Sequence, residues 1–276
     1  MKSKGIIITG STGYLGSKIL NLIDKNSIFI LNRKSFDNNQ TKFFDLKNKE
    51  KKLISKNYEA FIVVHLATFF SKDPNDKELI YEANIEFGKK LLVSLKKINV
   101  EKIIYTNTMF NYYPDESIRA LDYTKTKNEF STELNDFTKK NNILFDEIFL
   151  DNTFGGVDKR KKALPLIVDA VLNQKPSPIN DEQAYINLVS YKDILNRIYK
   201  SITTGIYGST AFIDEKRINL QSVYEFLNIY NLNKIEENNI LQFKPNYYLN
   251  NSPSINLFGL KLNDIQKELI NYINIT

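Results

Sequence analysis

Ile6-Ile7-Ile8-Thr9-Gly10-Ser11-Thr12-Gly13-Tyr14-Leu15-Gly16 is the stretch that decides the fold. Three β-branched apolar residues run into glycines at Gly-x-x-Gly-x-x-Gly spacing, and a helix-forming segment follows. Gly10 permits the tight turn, Gly13 lets backbone approach a pyrophosphate, and Gly16 lets the helix pack on the strand. The helix start then turns amide groups and a favourable dipole toward an anion. Gly10, Thr12, Gly13, Tyr14, Leu15 and Gly16 are therefore candidate dinucleotide-binding residues.

Outward from this turn, short apolar runs alternate with amphipathic stretches. Gly5–Thr9, Ser27–Asn32, Ala60–Leu66, Lys102–Thr106 and Ile143–Phe149 read as strands. Leu15–Asp24, Glu78–Lys97 and Asp122–Lys140 read as helices. Strands apolar on both faces, alternating with helices, predict an α/β fold with a Rossmann-type, doubly wound parallel sheet. After Asn152 the rhythm changes, with a helix near Leu164–Asn173, a return strand near Tyr185–Val189 and a helix near Leu220–Tyr230. The expected division is a nucleotide-binding domain over 1–151 and a smaller C-terminal substrate lobe over 152–276. Segments near 185–212 are expected to return to the first domain.

The end of the second strand selects the cofactor. An acidic residue there, about twenty residues past the turn, accepts from the ribose hydroxyls of NAD. This chain has Asn32-Arg33-Lys34 instead, and Arg33 can pair bidentately with a 2′-phosphate. That pattern favours NADP(H) over NAD(H).

Composition removes several other chemistries. There are no cysteines and one histidine, His65, so thiolate nucleophiles, disulfides and a multi-histidine metal cage are excluded, and no metal is expected. Net charge is +6, from 38 basic against 32 acidic residues scattered along the chain, which predicts a solvated surface and no nucleic-acid partner. No apolar run approaches the roughly 20 residues of a membrane helix. The N-terminus runs straight into a strand with no cleavable leader pattern, so no membrane partner and a cytoplasmic location are expected.

Asp122-Tyr123-Thr124-Lys125-Thr126-Lys127 contains Tyr-x-x-x-Lys, which puts both side chains on one helical face. A neighbouring ammonium favours the phenolate and brings a tyrosine nearer to useful acid–base range. The pair follows Lys102-Ile103-Ile104-Tyr105-Thr106-Asn107-Thr108, whose hydroxyls end a strand at the edge where open α/β sheets carry their sites. Thr108 is placed to donate to a substrate carbonyl.

Together these residues resemble the extended short-chain dehydrogenase/reductases, the sugar-nucleotide epimerase/dehydratase family. The glycine turn matches its Thr-Gly-x-x-Gly-x-x-Gly. The resemblance implies that Asp45-Leu46 contacts adenine, that His65-Leu66-Ala67-Thr68 ends a strand beneath the cofactor, and that Asn84 is a cofactor-side asparagine. It implies that Thr106 lines the cofactor and that Thr108, Tyr123 and Lys127 are catalytic. By the same likeness Tyr123 is the general acid, Lys127 binds the nicotinamide ribose and lowers the tyrosine pKa, and Thr108 orients the carbonyl oxygen. His65 reads as a packed or cofactor-adjacent strand residue rather than a catalyst.

Within the family, His65–Phe69, Thr106–Asn111, Asn152–Gly156 with Asp158-Lys159-Arg160, and Glu182–Asp193 look like the branch of CDP-abequose and paratose synthases. These reduce a 4-keto sugar nucleotide. The implied function is NADPH-dependent reduction of a 4-keto-6-deoxy sugar nucleotide for surface polysaccharide synthesis. The alternatives are an epimerase that retains NAD(P) and a non-catalytic NADP(H)-binding sensor. Two departures stand out: Phe149 replaces an arginine before the substrate asparagine, Asn152, and Ile186-Asn187 replace an Arg-Asp pair. The diphosphate contact then falls to Arg160 or Lys161. Thr108-Met109-Phe110-Asn111 lacks the carboxylates that dehydratases carry there. Members commonly dimerise through two helices, here Glu78–Lys97 and Asp122–Lys140, so a homodimer is one expectation.

Overall fold

A computed structural model describes residues 3–24, 27–31, 58–158, 160, 162–213, 216–232, 241–245, 256–258 and 262–275. Two compact units divide the chain: Met1–Phe149 with Leu195–Thr210, and Leu150–Ile194 with Ala211–Thr276.

The first unit is built on a Rossmann-like parallel sheet. β1 (Ser3–Thr9) pairs in parallel with β2 (Ile28–Leu31) on one side and β3 (Tyr58–His65) on the other. β3 pairs in parallel with β4 (Val100–Thr108). The strand order is β2-β1-β3-β4-β5, with β5 spanning Leu144–Leu150, and then Gly208–Phe212. The chain steps outward from β1 to β2, then returns to the far side of β1 for β3. That reversal creates a crevice at the carboxyl ends of β1 and β3, the place where doubly wound sheets bind ligands.

Ile7 and Ile8 point to opposite faces of β1, and both are fully buried. Both faces of the sheet are therefore covered, as the unbroken apolar runs require. On one face Ile7, Val63, Ile103 and Tyr105 meet Leu91 and Leu95, together with Phe130 and Leu134. The helical residues belong to α3 (Phe87–Leu95) and α5 (Asp122–Lys140). Upstream of them lie α1 (Tyr14–Ile19), which is shorter than expected, and α2 (Lys77–Tyr81). A single π-helical turn, Glu82–Glu86, joins α2 to α3. α4 (Glu116–Arg119) precedes α5. Behind β5, the Arg197 guanidinium grips Asp146 at 2.9 and 2.6 Å and also donates to Thr210 Oγ1.

In the second unit Asn152–Phe154 pairs in parallel with Leu188–Ser190, and Lys216–Asn219 pairs antiparallel with Tyr185–Ile186 and Phe243–Pro245. The expected return strand is thus split at Asn187, whose Nδ2 donates to Phe212 O at 3.0 Å. Its two halves pair inside this unit, and Leu195–Thr210 groups with the first unit. Helices Ala163–Leu172, Leu220–Asn231 and Leu262–Ile275 pack around Ile167, Val223, Leu227 and Leu269. Among the described residues, no helix is long and apolar enough to cross a membrane.

Candidate active site

The glycine turn closes over the crevice. Gly10 sits at φ +70°, and a Cβ there would lie 2.6 Å from Ala67 N. A Cβ on Gly16 would lie 2.0 Å from Gly10 O, so only glycine lets α1 approach β1 this closely. Gly13 N donates to Gly10 O at 2.9 Å, and Gly13 opens α1 without a side-chain cap. Thr12 and Gly13 are exposed, and Tyr14 and Leu15 are half-buried. A helix start without a side-chain cap, behind a turn whose Gly10 and Gly16 leave no room for a side chain, fits the pyrophosphate of a dinucleotide.

The end of β3 forms the facing wall. Thr9 Oγ1 pairs with His65 Nδ1 at 2.7 Å and accepts from Ala67 N at 3.2 Å. His65 is stacked between the rings of Phe87 and Tyr105 and packed on Phe130. Burial, followed by the charge of Lys127, pushes its pKa down to about 3, so it is a neutral core ring. Leu66 is buried, Ala67 is half-buried and Thr68 is exposed at the rim.

Asn84 lies in the π turn, a device that often re-aims one side chain at a functional site. Its Oδ1 accepts from Phe69 N at 2.8 Å and Thr68 Oγ1 at 2.9 Å. Its Nδ2 donates to Phe69 O at 3.2 Å and Thr126 Oγ1 at 3.1 Å. Both polar ends of Asn84 are therefore engaged by the chain itself, and they tie the β3 rim to the residue beside Lys127.

Lys127 is 2 % exposed, with its Nζ 4.1 Å from the centre of the Tyr105 ring. Burial lowers its pKa to about 7, against an opposing contribution from Glu147. One turn back, Tyr123 is half-buried, with the Phe70 ring edge-on at 4.9 Å and Phe110 at 6.1 Å. Phe110 N donates to Thr108 Oγ1 at 3.2 Å, so the Thr108 hydroxyl keeps its own proton to donate. Thr106, Asn107 and Thr108 are all buried at the end of β4. Phe110, which caps the Thr108 hydroxyl, thus also packs near the Tyr123 ring, one helical turn from Lys127.

One buried acid here escapes a reading by motif. Glu147, on β5, accepts from Asn107 Nδ2 at 2.8 Å and from Ser131 Oγ. Adjacent carboxylates Asp146-Glu147 inside an apolar strand are the available signal, since each must find donors on opposite faces. Of the remaining expected site residues, Asn32, Arg33, Asp45, Leu46 and Lys161 lie outside the described residues. Asn152 and Arg160 belong to the second unit. There Asn152 Nδ2 donates to Asp151 Oδ1 at 2.8 Å. Arg160 grips Asp158 at 2.7 and 2.6 Å and donates to Thr153 Oγ1 and O, bracing its own loop.

A parallel sheet of this order, a glycine turn in its crevice and a Tyr-x-x-x-Lys pair with its lysine buried, on the helix that follows a strand ending in threonine, define an extended short-chain dehydrogenase/reductase. The chain belongs to the NAD dependent epimerase/dehydratase family, whose model matches residues 6–205. Among curated relatives, CDP-abequose synthase of Salmonella muenchen is 20% identical over 235 residues, covering 82% of this chain and 80% of the relative. Among solved structures, UDP-N-acetylglucosamine 4-epimerase from Methanobrevibacter ruminantium M1, in complex with UDP-N-acetylmuramic acid, shares the fold with a TM-score of 0.71. It is 19% identical, over 100% of this chain and 98% of that one. UDP-glucose 4-epimerase of Thermus thermophilus, in complex with NAD, gives a TM-score of 0.69 at 16% identity, over 98% of both chains.

Proposed function

We propose that this protein is an NADPH-dependent reductase that converts a 4-keto-6-deoxy sugar nucleotide to a deoxy-sugar nucleotide for surface polysaccharide synthesis, in the cytoplasm. The observation that carries the reading is the corner around Tyr123. The half-buried phenol has the Lys127 amine one turn away and packs against Phe70 and Phe110, and Met109-Phe110-Asn111 follow Thr108 where dehydratases carry carboxylates. The curated CDP-abequose synthase relative and the Asn32-Arg33 pair add support for ketone reduction with the phosphorylated cofactor.

Gly10, Thr12, Gly13, Tyr14, Leu15 and Gly16 would hold the pyrophosphate, Asp45 and Leu46 the adenine, and Arg33 the 2′-phosphate. Leu66, Ala67, Thr68 and Thr106 would line its nicotinamide half. When bound, the cofactor supplies a hydride to the ketone carbon. Thr108 donates a hydrogen bond to the carbonyl oxygen and fixes its direction. Tyr123 gives its proton to the oxygen as negative charge develops there. The Lys127 ammonium stabilises the phenolate left behind, which lowers the cost of that transfer. By the family likeness, Asn152 and Arg160 would be substrate contacts.

The same three side chains serve a 4-epimerase, the activity named for both solved relatives, and the two readings differ in what is consumed. Purified protein is mixed with NADPH and a panel of 4-keto-6-deoxy sugar nucleotides, and absorbance and product are followed together. Stoichiometric NADPH oxidation supports the reductase. Isomerisation without net oxidation replaces it with the epimerase, and tight cofactor binding without turnover replaces it with a sensor.

A further inference from the structure

We propose that Glu147 is a positioning residue: its carboxylate ties the Thr108 strand end to the Tyr123–Lys127 helix and supplies the counter-charge to the Lys127 ammonium. The inference rests on the reading of Tyr123 and Lys127 as the working pair.

The geometry begins with α5. Tyr123, Lys127 and Ser131 follow at steps of four residues, so they form a row along one face of that helix. Ser131 Oγ donates to Glu147 Oε1, which places the carboxylate of β5 at the end of the row, one turn beyond Lys127. The same oxygen accepts from Asn107 Nδ2 at 2.8 Å, while Asn107 Oδ1 accepts from Thr108 N at 2.7 Å. One carboxylate therefore spans β4 and α5, the two elements whose relative position sets the distance from the threonine to the tyrosine and lysine.

The surroundings explain why a charge is kept in so buried a place. Lys127 lies beside the neutral His65 from β3 and the ring of Tyr105 from β4, whose hydroxyl burial keeps protonated, so neither supplies a compensating negative charge near neutral pH. Glu147 acts on it from β5, and the effect is mutual: Lys127 favours the ionised Glu147, while burial raises the acid's pKa. Tyr112 also senses the carboxylate, from the turn that follows β4. An unpaired ammonium at this depth would tend to shed its proton. A packing role for Glu147 would require only an atom of similar shape.

The test uses the full chain labelled with 13Cε-lysine, with the Lys127 resonance assigned by its loss in Lys127→Met. Titration in NMR over about pH 5 to 10 brackets the ordinary lysine and histidine ranges. Glu147→Gln, nearly isosteric, is expected to lower the Lys127 midpoint by about one unit. A folded Glu147→Gln protein with an unmoved midpoint overturns the proposal. Should that variant not fold, the coupling is read from the other side. In Lys127→Met the 13Cδ midpoint of Glu147 rises by a similar amount, and an unmoved midpoint again overturns it. Neither reading requires turnover, so a failed reductase assay leaves the result intact. Where turnover is found, Glu147→Gln moves the alkaline limb of the kcat profile down with the lysine midpoint, and an unmoved limb counts against the proposal.

Discussion

The side-chain nitrogen of Lys127 lies 4.1 Å from the centre of the Tyr105 ring, and the Tyr105 hydroxyl donates to the backbone carbonyl of Lys127 at 3.1 Å. The ring face attracts the ammonium, and the hydroxyl fixes the turn of helix from which the lysine springs. Burial nevertheless holds the amine pKa near 7 in the free protein. If a bound cofactor engages the ammonium, its pKa must rise on binding. Binding of NADPH then takes up a proton in the window above about 7, with uptake approaching one proton near pH 8 and vanishing at acid pH. Calorimetry in buffers of different ionisation enthalpy reads this directly. Equal heats in all buffers at pH 8 would separate Lys127 from the cofactor.

Tyr123→Phe removes one oxygen and leaves the ring packed against Phe70 and Phe110. Cofactor affinity is expected to stay within a few-fold, while kcat falls by about 10²–10⁴, the usual contribution of a positioned acid. A variant with undiminished kcat would show that the proton comes from elsewhere.

On the proposed reading, Arg33→Asp exchanges a 2′-phosphate partner for a ribose-hydroxyl partner. Dissociation constants for NADPH and NADH should move in opposite directions, with NADPH weakened at least about tenfold, the size of one lost charge-assisted contact. Unchanged discrimination between the two cofactors would remove Arg33 from the site.

His65 predicts an acid weakness. Its folded pKa of about 3 lies below the ordinary value, so the unfolded chain takes up the proton first as pH falls. Stability is therefore level above about 6.5 and declines between there and about 3, at up to roughly 1.4 kcal/mol per pH unit from this one group. His65→Asn keeps a partner for Thr9 but cannot titrate. Denaturant unfolding between pH 6 and 4 should show a shallower slope for the variant, even if the smaller side chain costs stability at every pH. Parallel slopes would locate the acid sensitivity in another group.

Sequence resolved the sheet and the glycine turn more fully than the supporting contacts. Unbroken apolar runs such as Ile6–Ile8 admit few other arrangements, and Asp122–Lys140 is the helix expected to its last residue. Strand pairing past Asn152 was less legible because two- and three-residue strands carry no period to read, as the split at Asn187 shows. The Tyr-x-x-x-Lys pair was visible because both members share one helix. Glu147, Asn107 and Ser131 come from three elements and meet only after folding. Asn84 was legible as an important position, but the π turn that faces its amide onto Phe69 and Thr126 was not.

The glycines separate packing from binding. At Gly16 an added methyl would meet the Gly10 carbonyl oxygen at 2.0 Å and its carbon at 2.7 Å, both backbone atoms that cannot swing aside. Gly16→Ala must push α1 off the end of β1, at a cost of about 1–3 kcal/mol typical of overpacking. Gly13 has ordinary φ and ψ of −76° and 175°, and its nearest contact for a methyl is Gly10 O at 3.2 Å. Gly13→Ala should therefore fold with a melting temperature close to the parent's, yet lose about tenfold or more in NADPH affinity by obstructing the approach of the pyrophosphate. Melting curves and cofactor titrations of the two variants distinguish these effects. If Gly13→Ala binds NADPH as the parent does, the phosphates do not pass over this turn, however well the turn is formed.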